Sequence, residues 1–261
     1  GLFGAGILRA RNRAAGRMGR GGADEMTARR LFTDKIENVT VLTGEEFRHA
    51  ANVLRVKKGD EVILCDNTAY EYPGRVLSVE KNSLSVEVAG RRKSDREPQA
   101  EVTLLCGYLK GDKTEVSVQK AVELGAKKIA VFRSEHCAAY MNENKLARLN
   151  KVSAEAAKQC GRSVAPEVVY FDDFSAALAS VTAENKFFAC EFAEKDEADL
   201  SALSSSAAVV VGPEGGFTAA EAEIAKAAGF SFLSLGRRIL RADTAAVAAL
   251  ALVMRALGEL G

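Results

Sequence analysis

The feature that most constrains this chain is a run of five small or β-branched apolar residues, AAVVV at positions 207–211, broken at once by Gly212-Pro213-Glu214-Gly215-Gly216. Such a run has no polar side to turn to solvent, so it reads as a strand buried on both faces, the pattern of a parallel sheet. Thr218 and Glu221 follow at the spacing of a capping box and predict a helix that stops at Gly229. A second short strand over residues 232–235 leads into Gly236-Arg237-Arg238. Asp243 or Thr244 can then cap a last helix rich in Ala, Leu and Val. Open α/β sheets use this order of strand, glycine turn and capped helix, and they take ligands beyond the carboxyl ends of their strands. Gly215 and Gly216 let backbone amides approach a ligand closely, and Pro213 stiffens the loop. One such turn is an ordinary connection; two, separated by a single helix, favour a ligand site.

Two familiar phosphate loops are excluded. A Walker loop needs Lys followed by Ser or Thr, and Phe217-Thr218 supplies neither the Lys nor the spacing. The dinucleotide pattern GxGxxG is absent as well.

Upstream, apolar runs at 102–109, 128–132 and 186–192 read as further strands. Helical patterns at 114–124, 145–159, 174–181 and 219–228, and after 244, separate the strands. This alternation predicts an α/β domain over 98–261 with a mostly parallel sheet and helices on both faces. Residues 26–97 have a different texture. Short β-prone runs at 39–42, 61–65, 70–77 and 83–88 are joined by Asp66-Asn67, Pro73-Gly74 and Lys81-Asn82, which predicts a small β domain. Thr43 with Glu46 suggests a second capping box and a helix over 45–53. The polar stretch 91–98, ended by Pro98, is the candidate linker.

Residues 1–25 carry five arginines before the first acidic residue. An organellar transit peptide, a basic arm and an unstructured upstream extension all fit, and the extension is the expectation. The formal net charge of +1 over 261 residues leaves no basic footprint for nucleic acid. With two histidines and no Ser-His-Asp context, hydrolase chemistry is disfavoured. Five widely spaced cysteines without CxxC argue against a disulfide framework or a structural zinc, and fit free thiols in a reducing cytoplasm. The last helix, 245–257, is too short to span a bilayer.

The strings GPEGGF and LGRRILRADTA resemble the SPOUT superfamily of RNA methyltransferases, and within it the ribosomal RNA small subunit methyltransferase E family. KGDKTEVSVQKAVELGAKKI (110–129), SEHC (134–137), KLARLNKVSAEAAKQCGRSVAPEV (145–168) and RHAANVLRVKKGDEV (48–62) resemble further blocks of that family, in the same order. The resemblance implies a PUA-like RNA-docking barrel before a SPOUT domain with a C-terminal trefoil knot, acting as a homodimer. It implies methyl transfer from S-adenosylmethionine to N3 of a uridine in small-subunit ribosomal RNA, free or in the assembled subunit, without a metal. By the same resemblance, Gly212, Leu235 and Leu240 lie on the cofactor, and Gly215, Gly216, Gly236 and Ile239 shape its pocket. Arg241 and Glu214 are the candidate catalytic residues. Arg241 holds the target nucleotide or braces the loops by a bridge to Glu214 or Asp243, and Glu214 serves more readily as loop support than as base. Candidate RNA contacts are Arg29, Arg30, His49, Arg55, Lys57 and Lys58 in the β domain, with Lys110, Lys113, Arg162, Arg237 and Arg238 in the second. Each is equally a solvated surface charge until placed. The chain departs from the family at His136, where the family's block has arginine. Two other readings stay open: a SPOUT enzyme for another base or a ribose hydroxyl, and a non-catalytic RNA-binding assembly protein.

Overall fold

The computed structural model describes residues 29–138, 140–190 and 198–261, which form two six-stranded sheets. The expectation for 1–25 lies outside the described residues.

The first sheet holds β1 (Arg29–Phe32), β2 (Val39–Leu42), β3 (Glu61–Cys65), β4 (Tyr70–Val79), β5 (Leu84–Val88) and β6 (Arg92–Lys93). Its order is β1-β3-β4-β5-β2, with β6 paired to β4, and only the β1–β3 pair is parallel. Strand β2 alternates, with Val39 and Val41 outward and Thr40 and Leu42 inward. Helix α1 (Gly44–Arg48) runs into a π-helical turn, His49–Val53, and closes a core of Leu31, Leu42, Phe47, Ala50, Leu64, Val76 and Val86. Strand β1 was not expected. Nor does Thr43 cap α1 with its side chain. Glu46 is drawn away instead, accepting from the Phe32 amide at 2.7 Å and from Lys158 Nζ at 2.7 Å. A tertiary partner has won over the local motif.

Charge is buried where the β domain hands over to the second domain. Glu71 takes Arg30 at 2.9 Å, Arg92 at 3.0 Å and Ser94 Oγ at 3.1 Å. Arg30 is only 4% exposed, so it neutralises a buried carboxylate and cannot reach a phosphate. The segment expected as a linker is fastened at both ends. Arg92–Lys93 is strand β6, and Glu97 accepts from Arg162 Nη2 at 2.9 Å, Ser163 N at 2.8 Å and Val164 N at 3.0 Å. Arg162 also donates to the carbonyls of Val122 and Ala126 and is 3% exposed. It too is a structural cation, which corrects its reading as a phosphate contact.

The second domain runs β7 (Glu101–Gly107), α2 (Lys113–Glu123), β8 (Lys128–Phe132), α3 (Glu143–Cys160), β9 (Val168–Phe171), α4 (Phe174–Ala179), β10 (Asn185–Ala189), β11 (Ser206–Val211), α5 (Ala219–Ala227), β12 (Ser231–Leu233) and α6 (Ala242–Ala256). The strands lie in the order β12-β10-β11-β7-β8-β9, all parallel. One face packs on α2, α3 and α6 through Val118, Val122, Leu149, Leu250 and Val253; the other packs on α4 and α5 through Phe174, Leu178, Ala222 and Ala225. The fold is therefore the expected α/β domain behind a small β domain. Strand β9 escaped the sequence reading because it is a four-residue edge strand two residues after Pro166. The order reverses between β7 and β11: from β7 the chain goes outward to β8 and β9, then returns on the far side. A crevice opens at such a switch point.

None of the five cysteines is in a disulfide. Among the described residues no helix is long and apolar enough to cross a membrane, and no three metal-binding side chains converge.

Burial pushes the Glu71 carboxyl up, but its hydrogen bonds to Arg30, Arg92 and Ser94 outweigh burial and hold it below its ordinary value of 4.5. A carboxylate depressed on folding adds stability above its unfolded value, and that stability is lost as pH falls through the folded one. Glu71→Gln should therefore cost about 3 kcal/mol at pH 7, because Arg30 is left buried and unpaired. The gap between wild type and variant should close in denaturant titrations below pH 4.5.

Candidate active site

The crevice is built from backbone that comes unusually close. A Cβ on Gly107, the last residue of β7, would stand 2.6 Å from Pro213 N, so glycine there lets the Gly212-Pro213 segment cross the strand end. A Cβ on Gly212 would meet the Phe217 ring at 2.8 Å. That ring stacks on Phe188 with centroids 4.3 Å apart and pins the loop to the sheet. The Gly216 amide closes a turn onto Pro213 O at 3.0 Å, with Gly216 at φ 70°.

Helix α5 starts at the predicted capping box. Thr218 Oγ1 accepts from the Glu221 amide at 3.2 Å, and Glu221 Oε2 accepts from the Thr218 amide at 2.9 Å. The remaining oxygen of this buried carboxylate accepts from the Glu135 amide at 3.0 Å. The cap thus ties the glycine loop to the segment after β8. His136 adds a second tie, its Nδ1 lying 3.0 Å from Gly215 O. A carbonyl only accepts, so Nδ1 is the donor in this bond. A Cβ on Gly215 would stand 2.7 Å from His136 Cβ. No role was expected for His136; the signal lay in its departure from the family pattern.

The opposite wall is the loop from β12 to α6. It turns at Gly236, φ 94°, and among the described residues the backbone amides of Arg237 through Arg241 have no hydrogen-bond partner. Arg241 itself occupies the N-cap of α6 in extended backbone, without a side-chain cap. Asp243 and Thr244 lie inside the first turn, so neither is the N-cap, and Asp243 Oδ1 is buried without a partner.

Between the walls lies a cavity of about 1110 Å³. Gly212, Glu214, Gly215, Gly216, Leu235, Gly236, Ile239, Leu240 and Arg241 all line it, with Lys113, Arg237 and Arg238. Lys110 is exposed, and its amide donates to Glu214 at 3.2 Å. Arg55, Lys57 and Lys58 are exposed on the β domain, whereas Arg29 pairs with Asp60. Glu214 accepts from Lys113 Nζ at 2.9 Å. Partial burial pushes its carboxyl up, but the Lys113 ammonium and the amides of Glu214 and Lys110 hold it below its ordinary value. Such a carboxylate braces loops and is a weak base. Among the described residues Arg241 forms no ion pair, so the bridge to Glu214 or Asp243 is not made, and the guanidinium faces solvent at the cavity.

The RNA methyltransferase domain family matches residues 95–254, and the RNA methyltransferase PUA domain family matches residues 42–89. The ribosomal RNA small subunit methyltransferase E of Bacillus subtilis is 32% identical over 225 residues, which span 81% of this chain and 88% of that protein. This chain belongs to the ribosomal RNA small subunit methyltransferase E family. The family member from Rickettsia conorii is 30% identical over 230 residues, 85% of this chain and 91% of that one. The crystal structure of the Neisseria gonorrhoeae member bound to S-adenosyl methionine has a TM-score of 0.78 at 28% identity, covering 87% of this chain and 97% of that chain.

Gly215→Ala should destabilise the protein by about 1–3 kcal/mol through overpacking against His136. In a double-mutant cycle read by denaturant unfolding, His136→Gly, which removes the clashing Cβ, should return part of that loss.

Proposed function

We propose that the protein transfers a methyl group from S-adenosylmethionine to N3 of a uridine in small-subunit ribosomal RNA. The observation that carries this is the cleft at the switch point, where two glycine turns face each other and, among the described residues, five successive backbone amides have no protein partner. Its residues suit the methyl donor. Leu235, Ile239 and Leu240 offer apolar wall for an adenine ring, the free amides of 237–241 offer donors, and Gly212, Gly215, Gly216 and Gly236 keep the backbone close. When bound, S-adenosylmethionine supplies a methyl group on a sulfonium, open to in-line displacement.

This chain's part is placement and charge. Uridine N3 is a poor nucleophile until it loses its proton, so the site must favour the anion. Arg241, unpaired and at the cavity, is assigned to hold the nucleotide and stabilise that anion with its fixed fork of donors. Glu214 braces the glycine loop against Lys110 and Lys113. Lys110, Lys113, Arg237 and Arg238 form a basic rim for RNA phosphates, and the β domain, with Arg55, Lys57 and Lys58 exposed, docks the RNA further out. On the same reading the enzyme is a cytoplasmic homodimer with a C-terminal trefoil knot, free or assembled small-subunit RNA being its partner.

Calorimetric titration should show wild type binding S-adenosylmethionine and Gly215→Arg failing to bind. With small-subunit RNA as acceptor, Arg241→Ala should lower kcat by about 10²–10³. Glu214→Gln should leave the pH profile of kcat in place, because the carboxylate only braces. Methylation at N3 blocks the pairing edge, so reverse transcription should halt at the modified uridine. A folded wild type that does not bind the donor would overturn the proposal.

A further inference from the structure

On the segment after β8, a few residues beyond the two that bond to the cleft loop and its cap, one aromatic ring stands in the open. Tyr140 is 68% exposed. One of its faces is taken: the Arg133 guanidinium carbon lies 4.8 Å from the ring centroid, and Asp172 steadies that arginine at 3.6 Å. Lys145 Nζ donates to the Tyr140 carbonyl at 2.7 Å, and Asn142 caps α3 on the Lys145 amide at 2.9 Å, so cation and ring are held together by the start of the helix. A tyrosine with a guanidinium on one face and solvent on the other is half of a planar stack.

The position of this ring gives the open face a use. It belongs to the segment after β8, the same segment whose Glu135 and His136 bond to Glu221 and Gly215 of the cleft wall. The described residues flanking it in sequence include the exposed Glu135, Asn142, Glu143 and Lys145, a polar setting unlike the apolar centre of a protein–protein interface. A nucleobase needs only the π face, and the neighbouring cations Arg133 and Lys145 suit its phosphates.

We propose that Tyr140, backed by Arg133, stacks an unpaired base of the RNA strand near the nucleotide that enters the cleft. The inference rests on the methyltransferase reading and adds a binding subsite to it. Because the chain contains no tryptophan, Tyr140→Trp places a single indole at the platform. Titrating that variant with an unmethylated small-subunit RNA transcript should quench the indole. Tyr140→Ala should weaken RNA binding about 5- to 100-fold, while Tyr140→Phe binds as wild type and all three variants keep wild-type affinity for S-adenosylmethionine. An indole that keeps its emission while RNA binds, or a Tyr140→Ala variant that binds RNA as tightly as wild type, would overturn the platform alone. A wild type that binds neither the transcript nor unmodified small subunits would overturn the methyltransferase reading along with it.

Discussion

Everything at the cleft depends on how closely two stretches of backbone pass where β7 and β11 end. With Gly107 lacking a Cβ, the Gly212-Pro213 segment crosses within 2.6 Å of where that atom would be. This contact sets the height of the glycine loop above the sheet. The loop is then pinned from below by Phe217 on Phe188, from the side by His136 on Gly215 O, and at its end by the Thr218–Glu221 cap. Glu221 is the hub, because one buried carboxylate satisfies the Thr218 and Glu135 amides together. The wall opposite is held far less. Among the described residues the loop after Gly236 keeps five amides without protein partners; the loop is largely exposed, so water serves them until a ligand supplies the acceptors.

One buried and one partly buried ion pair tie the β domain and the connecting segment to the end of α3. Glu97 with Arg162 anchors the connection on the C-terminal end of α3, and Glu46 with Lys158 ties β1 and α1 to the same helix. Asn67 Oδ1 accepts from the Ala165 amide at 2.8 Å and adds a neutral bond. Lys158 lies in the last turn of α3, and Arg162 and Ala165 follow just after it, so all three ties fall on one short stretch of chain.

The parallel sheet was legible from AAVVV at 207–211 and from the alternation around it, since buried strands leave a continuous apolar trace. The capping box at Thr218 was legible because both partners are local. The same motif at Thr43 misled, because Glu46 answers Phe32 and Lys158 across the fold, and no local pattern encodes that. Arg30 and Arg162 read as surface cations for the same reason: burial of a long charged side chain depends on a distant carboxylate. The cleft residues were legible as two strings, GPEGGF and LGRRILR, while their meeting across one cavity is a product of strand order. His136 stood out in the sequence only as a departure from the family's block, and its bond to Gly215 and the open ring of Tyr140 were not legible, because one depends on a neighbour far along the chain and the other on exposure.

The central claim is that the two glycine loops clasp the methyl donor. Hydrogen exchange with and without S-adenosylmethionine tests it most directly, because the amides of 237–241 have no protein partner in its absence. Slowed exchange at 212–217 and 237–241 on addition of the donor, with the β domain unchanged, is the predicted result. Protection confined to other parts of the chain, or none at all with donor in excess, would contradict it.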